Sequence, residues 1–344
     1  MAARPAAPVI SLKGRSQMSD PLVSIRHLSR SFDIGSGRSR QVLKAVEDVS
    51  FHINRGETLG LVGESGSGKS TIGKMLVGSL PPSSGEMEIL GQTITAGSGR
   101  RDWRRLRERV QFVFQDPHAA LNPRMRVGQS IAEPLEIQGK LSRAERVARV
   151  ADLMDLVGLP PSWTERFPHE FSGGQRQRIV IARALALNPE FVICDEAVAS
   201  LDVSMQAQII NLLKDLQDRL GLSYLFIAHD LAVVRAASHR IAVLYAGQVV
   251  ETAPRSDLFR TPLHPYTRAL LDAVPRARRR GERPPVLGGE VPSLLNKPKG
   301  CNFSTRCPLA NDHCRRVEPA LRSFGPRQVA CHFAGEGGDA ISAA

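Results

Sequence analysis

The sequence predicts an α/β fold that carries an inserted helical subdomain and a small, cysteine-rich C-terminal extension. Short apolar runs, typical of buried strands, alternate with helical patterns along the chain. One such run, residues 58–62, leads through a glycine-rich loop into a predicted helix over residues 69–80. From about residue 117 to 185 the pattern becomes helical and charged, and strands resume at residues 191–195 and 224–228. We therefore expect one sheet to combine segments from both sides of a helical insertion.

Composition indicates a folded, globular chain. Its 344 residues and 42% hydrophobic content suffice for a packed α/β unit with appendages, or for two domains. No run approaches the length of apolar sequence that a membrane-spanning helix needs. The first residues lack the apolar stretch of a secretory signal, so we interpret residues 1–19 as a disordered extension, with Met18 as an alternative start.

The net charge of +12 raises the question of an anionic partner. The excess is concentrated at residues 100–109 and 276–283, without aromatic interleaving and without a recognised nucleic-acid module. Solvated arginine-rich faces are the favoured interpretation, and attraction to anionic lipid headgroups is the alternative. We expect no nucleic-acid partner.

The glycine-rich loop fits the phosphate-binding pattern G-x-x-x-x-G-K-[ST]. Its glycines would let backbone N–H groups wrap a phosphate at the N-terminus of the following helix. Lys69 would lie between β- and γ-phosphate oxygens, and Ser70 would bind Mg²⁺. The strand, loop and helix context disfavours a glycine turn that precedes Lys-Ser by chance. The predicted nucleotide-binding residues of this segment are Gly63, Glu64, Ser65, Gly66, Ser67, Gly68, Lys69, Ser70 and Thr71.

A second predicted strand ends in two adjacent carboxylates, Asp195 and Glu196. A buried strand holds its last residues rigidly, so Asp195 can face the Mg²⁺ shell while Glu196 polarises an attacking water. The alternative is a strand that ends in a solvated acidic turn. The phosphate loop elsewhere in the chain favours the catalytic interpretation.

Another motif matches one known family. The segment Phe171-Ser-Gly-Gly-Gln175 resembles the signature motif of ATP-binding-cassette (ABC) ATPases, with Phe171 where the family usually has leucine. The resemblance covers residues 20–255 and implies an ABC-type P-loop NTPase with a RecA-like core and an antiparallel β edge. Ser172 is also a good N-cap for a helix whose exposed N–H groups suit a phosphate. In the family this surface contacts ATP on the partner subunit, a role that the resemblance gives to Ser172, Gly173, Gly174 and Gln175.

Further residues match landmarks of this family in their order along the chain. The resemblance implies that Gln115 contacts Mg²⁺ and water and faces the transmembrane partner. It implies that His229 holds the γ-phosphate and orients Glu196. Asp202 would lie in the loop that links the two sites across the dimer, and Phe32 would stack on adenine. Alone, each residue type is more often a core or surface residue, so the order and spacing of the set carry the assignment.

Three segments resemble a narrower group. Residues 114–117 (FQDP), 121–124 (LNPR) and 262–270 (PLHPYTRAL) are similar to the ATPases of oligopeptide and dipeptide importers, whose relatives import nickel or other small solutes. Such importers combine two identical or homologous ATPase subunits with two membrane permeases and an extracytoplasmic solute-binding protein. The resemblance implies a peripheral position on the cytoplasmic face of the inner membrane. It divides the chain into a nucleotide-binding domain, residues 20–258, and an importer-type C-terminal region, residues 259–344.

We therefore predict an ATP-hydrolysing motor subunit of a bacterial ABC importer, which couples MgATP binding and hydrolysis at a dimer interface to uptake of oligopeptides or dipeptides. The alternative within the family is an importer of nickel or another small solute. A soluble ABC ATPase acting on nucleic acid is disfavoured, because the chain has neither a second cassette nor a long coiled-coil insertion. A subunit that binds ATP without hydrolysing it is disfavoured by the intact Lys69, Glu196 and His229. Ala197-Val198 replaces the usual Pro-Thr of the family and leaves the acids unchanged.

Cysteines are concentrated near the C-terminus, as Cys301, Cys307, Cys314 and Cys331. A nucleotide-hydrolysing subunit lies in the reducing cytosol, where disulfides are disfavoured and a four-thiolate metal site becomes attractive. The spacings lack the close CxxC pairs of zinc ribbons and bacterial ferredoxins. Similar tails in peptide-importer ATPases favour a [4Fe–4S] cluster, with Zn²⁺ and free structural thiols as the alternatives.

Overall fold

The computed structural model describes residues 21–35, 40–273, 289 and 292–335. The predicted extension at residues 1–19 and the arginine run at residues 276–283 lie outside these ranges. The strands of the described part are β1 Val23–Ile34, β2 Gln41–Ile53, β3 Thr58–Val62, β4 Ser84–Ile89, β5 Gln92–Thr95, β6 Val110–Val113, β7 Phe191–Asp195, β8 Ser223–Ile227, β9 Arg240–Tyr245, β10 Gln248–Pro254, β11 Arg322–Phe324 and β12 Arg327–Val329.

Helices cover both faces of these strands and form most of the region between β6 and β7. They are α1 Lys69–Leu76, α2 Arg100–Leu106, α3 Pro117–Ala120, α4 Val127–Gln138, α5 Arg143–Leu156, α6 Gly173–Ala184, α7 Val203–Leu220, α8 Leu231–Ala237, α9 Arg255–Arg260, α10 Pro265–Asp272 and α11 Asp312–Arg316. No helix in the described ranges is long and apolar enough to cross a membrane.

The larger sheet has the strand order β11-β12-β10-β9-β3-β8-β7-β6. Its strands from β9 to β6 are parallel, so their carboxyl ends meet at one edge, where ligands of α/β proteins usually bind. β3 and β7 have the predicted bounds, and β8 begins and ends one residue earlier than predicted. A separate antiparallel sheet has the order β2-β1-β4-β5, in agreement with the expected antiparallel edge.

Alternate residues of the parallel strands face two different cores. On β7, Phe191 and Ile193 pack in the core that includes the antiparallel sheet and α1. Val192 and Cys194 pack in the core that includes the helices from α4 to α8. Because both faces are buried, the strand is apolar throughout until Asp195, where the chain reaches the edge of the sheet.

Helix α1 is shorter than predicted. It ends at Leu76, whereas the sequence pattern predicts helix to residue 80. Gly78 has a φ of 68°, and a Cβ there would lie 2.2 Å from Cε3 of Trp103. The chain therefore turns beneath the Trp103 ring, a tertiary contact that the local pattern does not reveal.

The C-terminal segment is joined to the larger sheet. β12 pairs with β10 in antiparallel register, with Glu251 opposite Val329. The Glu251 side chain is 0% exposed and accepts hydrogen bonds from the backbone N–H groups of Leu263 and His264 and from Arg327. These bonds compensate for burial of the carboxylate and fasten β12 and the start of α10 to β10.

Candidate active site

The glycine-rich loop connects β3 to α1 and needs glycine at two positions. Gly63 has a φ of 155°, and a Cβ there would lie 2.1 Å from the Leu244 carbonyl oxygen. Gly68 has a φ of 104°, and a Cβ there would lie 2.4 Å from the Ala45 carbonyl oxygen. Side chains at these positions would clash with fixed backbone atoms, so the loop geometry depends on glycine.

Lys69 is folded back onto its own loop. Its Nζ donates hydrogen bonds to the carbonyl oxygens of Gly63, at 2.7 Å, and Glu64, at 2.9 Å. Burial lowers the pKa of the Lys69 ammonium, and the charges of Asp195, Glu196 and Glu64 oppose that shift. The ammonium therefore lies at the concave side of the loop, where phosphate oxygens could replace the two carbonyl oxygens. Of the remaining loop residues, Ser67 is buried, Thr71 is half-buried, and Ser65 and Gly66 are exposed.

Ser70 and Asp195 meet beside this loop. The Ser70 hydroxyl donates a hydrogen bond to Oδ1 of Asp195 at 3.0 Å. Burial raises the pKa of the Asp195 carboxyl, as does the charge of Glu196, while the Ser70 hydrogen bond lowers it. Mg²⁺ prefers oxygen ligands such as a hydroxyl and a carboxylate. A bound cation would also offset the cost of burying the charged form of Asp195. The residues present therefore fit a bound Mg²⁺.

Glu196 follows β7 with strained backbone geometry. Its φ of 49° is in the left-handed region, which is uncommon for a residue with a side chain. Its backbone N–H donates to the carbonyl oxygen of Ile227 at 2.9 Å, which fixes the turn against β8. This turn directs the carboxylate toward two other predicted residues. Nε2 of Gln115 donates to Oε2 at 2.6 Å, and Nδ1 of His229 lies 3.4 Å from Oε1.

The structure thus brings together residues from three strand ends. Gln115 follows β6, Asp195 ends β7 and His229 follows β8. Because these strands are parallel neighbours, their carboxyl ends place the three side chains beside the loop after β3. The arrangement can hold a nucleotide phosphate, a divalent cation and a water molecule next to a carboxylate.

The signature segment forms the N-terminus of α6. The Ser172 hydroxyl accepts from the Gln175 backbone N–H at 3.3 Å, and the Gln175 side chain accepts from the Ser172 N–H at 3.0 Å. This capping box confirms the N-cap expected of Ser172. A Cβ on Gly174 would lie 2.4 Å from Cε of Met205, so glycine allows α6 to approach α7. Gly173 lies next to it in the first turn.

Phe171, which departs from the family's usual leucine, is accommodated in the core. Its side chain is buried and its ring makes an edge-to-face contact with Trp163 at 5.7 Å between centroids. The larger side chain therefore fills space inside the helical layer, and the Ser172 cap keeps its geometry.

The following contacts of Asp202 and Phe32 are with residues near them in the chain, and these contacts do not test their predicted roles. The Asp202 carboxylate caps α7 by accepting from the Met205 backbone N–H at 2.9 Å, and this bond lowers the pKa of Asp202. Phe32 lies on β1 opposite Leu43, and the Arg30 guanidinium lies 4.7 Å from its ring centroid. ATP stacking by Phe32 and a cross-dimer role for Asp202 stay predictions.

Sequence reasoning missed two residues that contact the phosphate loop from the C-terminal segment. Arg306 forms a salt bridge with Glu64, and the Tyr266 hydroxyl accepts the Glu64 backbone N–H. Tyr266 lies in the segment PLHPYTRAL, whose spacing identified a subfamily without assigning it a contact.

The four C-terminal cysteines do not form a ready metal site. All are free, and in the described ranges no group of three or more His, Cys, Asp or Glu side chains is arranged to hold a metal ion. Burial raises the pKa of the Cys301 thiol to about 11 and also raises that of Cys307 and Cys331. Because the described residues contain no such group, the structure does not support the predicted [4Fe–4S] cluster or its Zn²⁺ alternative.

The cassette fold, the phosphate loop and the capped signature helix together define an ABC-type ATPase. Family comparisons agree: residues 46–199 match the ABC transporter family, and residues 250–314 match the C-terminal region of oligopeptide/dipeptide transporters. The chain is 70% identical over 316 residues, 91% of its length, to a Brucella abortus (strain 2308) protein that carries the name of a peptide import ATP-binding protein, and covers 94% of that protein. The chain belongs to the ABC transporter ATPase family, in the group with this C-terminal region.

More distant relatives support the same placement. A Sinorhizobium fredii (strain NBRC 101917 / NGR234) peptide ABC transporter ATP-binding protein is 50% identical over 322 residues, which are 92% of this chain and 90% of that protein. Among solved structures, the dimeric cassette MJ0796 bound to ADP and Pi has a TM-score of 0.60 at 29% identity and covers 68% of this chain and 98% of its own. CbiO1 from Clostridium perfringens, part of an ABC transporter complex, has a TM-score of 0.62 at 27% identity and covers 70% of this chain and 91% of its own.

Proposed function

We propose that this ATPase is the motor subunit of a peptide importer, which couples MgATP binding and hydrolysis to uptake of oligopeptides or dipeptides. The observation that carries the proposal is the convergence of Gln115, Glu196 and His229 beside the Lys69 loop. The peptide-import names of the relatives and the match of residues 250–314 support the substrate class.

Nucleotide binding is assigned to the loop and its neighbours. Lys69 would exchange its two backbone acceptors for β- and γ-phosphate oxygens, and the loop N–H groups would hold the β-phosphate. Ser70, Asp195 and Gln115 would hold Mg²⁺, which supplies charge neutralisation on the phosphate oxygens when it is bound. Phe32 would stack on the adenine ring.

Catalysis is assigned to the carboxylate of Glu196. Its strained turn and its hydrogen bond from Gln115 hold the carboxylate where it could accept a proton from an attacking water. His229, 3.4 Å from the same carboxylate, would orient it and contact the γ-phosphate.

A second ATPase subunit, identical or homologous, would complete each site. The first turn of α6 offers backbone N–H groups and the positive end of a helix dipole, which suit a γ-phosphate held by the other subunit. The solved cassette MJ0796 is described as dimeric with bound ADP and Pi, which supports the same arrangement here. Ser172, Gly173, Gly174 and Gln175 would contact that phosphate, and Asp202 would link the two sites.

Partners in the membrane follow from this assignment. The proposal places the subunit on the cytoplasmic face of the inner membrane, against two permease subunits that receive peptide from an extracytoplasmic solute-binding protein. Phe114 supports a docking role for the segment before Gln115, because its large apolar side chain is 55% exposed.

ATP hydrolysis by the assembled transporter tests the proposal. The subunit would be purified with the permeases that co-isolate and supplied with solute-binding protein loaded with dipeptide, oligopeptide or nickel. Stimulation by a peptide-loaded form that is absent in Glu196→Gln is the expected result. Stimulation by nickel alone would assign a related importer, and turnover stimulated by nucleic acid without any membrane partner would overturn the transport assignment.

A metal at the four cysteines remains a separate hypothesis. Burial is the main cause that raises the pKa of Cys301, and the charges of Cys331, Cys307 and Cys314 raise it further, which supports proximity of the four thiols. Iron, acid-labile sulfide and zinc measured in anaerobically purified protein would decide among a [4Fe–4S] cluster, Zn²⁺ and free thiols.

A further inference from the structure

The C-terminal region holds the second residue of the phosphate loop by two separate contacts. Arg306 donates two hydrogen bonds to the carboxylate of Glu64, from Nη1 to Oε2 at 2.8 Å and from Nη2 to Oε1 at 3.1 Å. The hydroxyl of Tyr266 accepts the backbone N–H of Glu64 at 3.0 Å. One loop residue is therefore fixed through its side chain and through its backbone, by residues that follow it in the chain by about two hundred positions or more.

On the C-terminal side these contacts come from buried side chains, while the Glu64 carboxylate is partly exposed. The Arg306 side chain is 5% exposed, and its hydrogen bonds to Glu64 raise the pKa of the guanidinium. Tyr266 and Phe303 are buried, and their rings pack against Tyr245 with centroids 4.5 and 5.3 Å from it. Shielding from water strengthens the bidentate ion pair, and the aromatic cluster leaves Tyr266 little freedom to move.

The carbonyl oxygen of Glu64 explains why Arg306 and Tyr266 matter for nucleotide binding. Its carbonyl oxygen accepts from Nζ of Lys69 at 2.9 Å and from the backbone N–H of Ser67 at 3.2 Å. A phosphate that binds the Lys69 ammonium would remove the Lys69 bond. Arg306 and Tyr266 would then hold residue 64 from outside the loop, and the Ser67 N–H would hold it from within the loop.

We propose that Arg306 and Tyr266 are positioning residues for ATP, through which the C-terminal region holds the phosphate loop in its nucleotide-accepting conformation. The inference rests on the assignment of residues 63–70 as the nucleotide site. It makes the C-terminal region a part of that site, although neither side chain is expected to touch the nucleotide.

The test measures MgATP affinity on the full-length subunit, together with its melting temperature. Arg306→Met should weaken binding about tenfold, and Tyr266→Phe, which removes one hydroxyl, about fivefold. Arg306→Lys should give an intermediate loss, since lysine keeps the charge but not the fork. Arg315→Met is the matched control, because Arg315 lies in the same region and forms an exposed salt bridge with Asp312. This variant should bind MgATP with wild-type affinity.

A double variant separates positioning from folding. Arg306→Met with Glu64→Met replaces a buried ion pair by apolar side chains and should recover thermal stability, because no buried charge is left unpaired. MgATP binding should stay weak in this variant, and in the assembled transporter the KM should rise more than kcat falls. Wild-type affinity in both the double variant and Tyr266→Phe would overturn the inference. If the wild-type subunit itself does not bind MgATP, the site assignment beneath the inference fails.

Discussion

Glu196 accepts a hydrogen bond from Gln115 at 2.6 Å, although the two residues are 81 positions apart and follow different strands of the sheet. The bond connects the proposed catalytic carboxylate to the segment that carries exposed Phe114. A movement of that segment would therefore change the orientation of the carboxylate. This relationship offers a direct physical route between a docking surface and the hydrolytic site.

Glu196→Gln is expected to reduce ATP turnover by two to four orders of magnitude, roughly the range of a lost general base. Glutamine keeps the shape of the side chain and can still accept the hydrogen bond from Gln115, but it cannot accept the proton from water. MgATP affinity should change little, because the β-phosphate contacts lie in the loop. Phosphate release and nucleotide binding measured on the same preparation check this. Glu190→Gln, at the opposite end of β7, is the control, and equal losses in both variants would contradict a catalytic role for Glu196.

Gly68→Ala is expected to abolish MgATP binding. A Cβ there would lie 2.4 Å from the Ala45 carbonyl oxygen, and the φ of 104° is unfavourable for alanine. Gly97→Ala provides the comparison, because a Cβ at that position meets no atom within 4 Å. Calorimetric titration with MgATP would separate the two. Normal binding by Gly68→Ala would mean that the loop tolerates a different backbone path.

Ser172→Ala is expected to impair ATP-dependent dimerisation more than it impairs folding. Loss of the cap should cost about 1 kcal/mol of helix stability. Ser142→Ala removes the same kind of cap from α5, where Ser142 accepts the Glu145 N–H at 3.3 Å. Both variants should therefore lose similar thermal stability, while only Ser172→Ala shifts the dimer population in sedimentation with MgATP. Identical sedimentation of the two variants would leave Ser172 with a capping role alone.

Asp195→Asn is expected to stabilise the nucleotide-free subunit near neutral pH while removing hydrolysis. Burial and the charge of Glu196 raise the pKa of Asp195, so ionisation costs folded-state stability. That cost is absent below the pKa of an unfolded aspartate, about 3.9, and grows as pH rises through the folded pKa. The gain in Tm over wild type should therefore be larger at neutral pH than in acid.

Asp202→Asn is the comparison for that pH series, because ionisation of Asp202 stabilises the folded chain whereas ionisation of Asp195 destabilises it. The Met205 N–H lowers the pKa of Asp202, so its charged form stabilises the folded chain above the unfolded pKa, and this contribution is lost as pH falls through the folded pKa. Any loss of Tm in Asp202→Asn should therefore fade in acid. Parallel pH profiles for the Asp195 and Asp202 variants would contradict the assigned environments.

Local sequence patterns predicted the elements that carry the nucleotide site. β3 and β7 have the predicted bounds, because each is a short apolar run that ends at a chemically distinct residue. The Ser172 cap was predictable for the same reason, since a capping box lies within one helical turn. These features depend on neighbours in sequence, which a pattern records directly.

Features that depend on distant contacts could not be predicted in this way. The early end of α1 accompanies the close contact of Gly78 with Trp103, and the left-handed backbone of Glu196 accompanies its bond to β8. The ion pair of Arg306 and Glu64 joins residues 242 positions apart, and each residue alone resembles an ordinary surface charge. Similarly, clustering of cysteines in sequence suggested a metal, although the part of the chain that the structure describes shows no group of side chains arranged to hold one.

The pairing of β12 with β10 has a consequence for synthesis of the chain. Glu251 receives its Arg327 partner, and Glu64 its Arg306 partner, from segments that are translated after the glycine-rich loop and β10. A nascent chain that has emerged only to β10 already contains the whole glycine-rich loop but neither of these guanidinium groups. Chains that end before Arg306 therefore contain the loop without the guanidinium that pairs with Glu64.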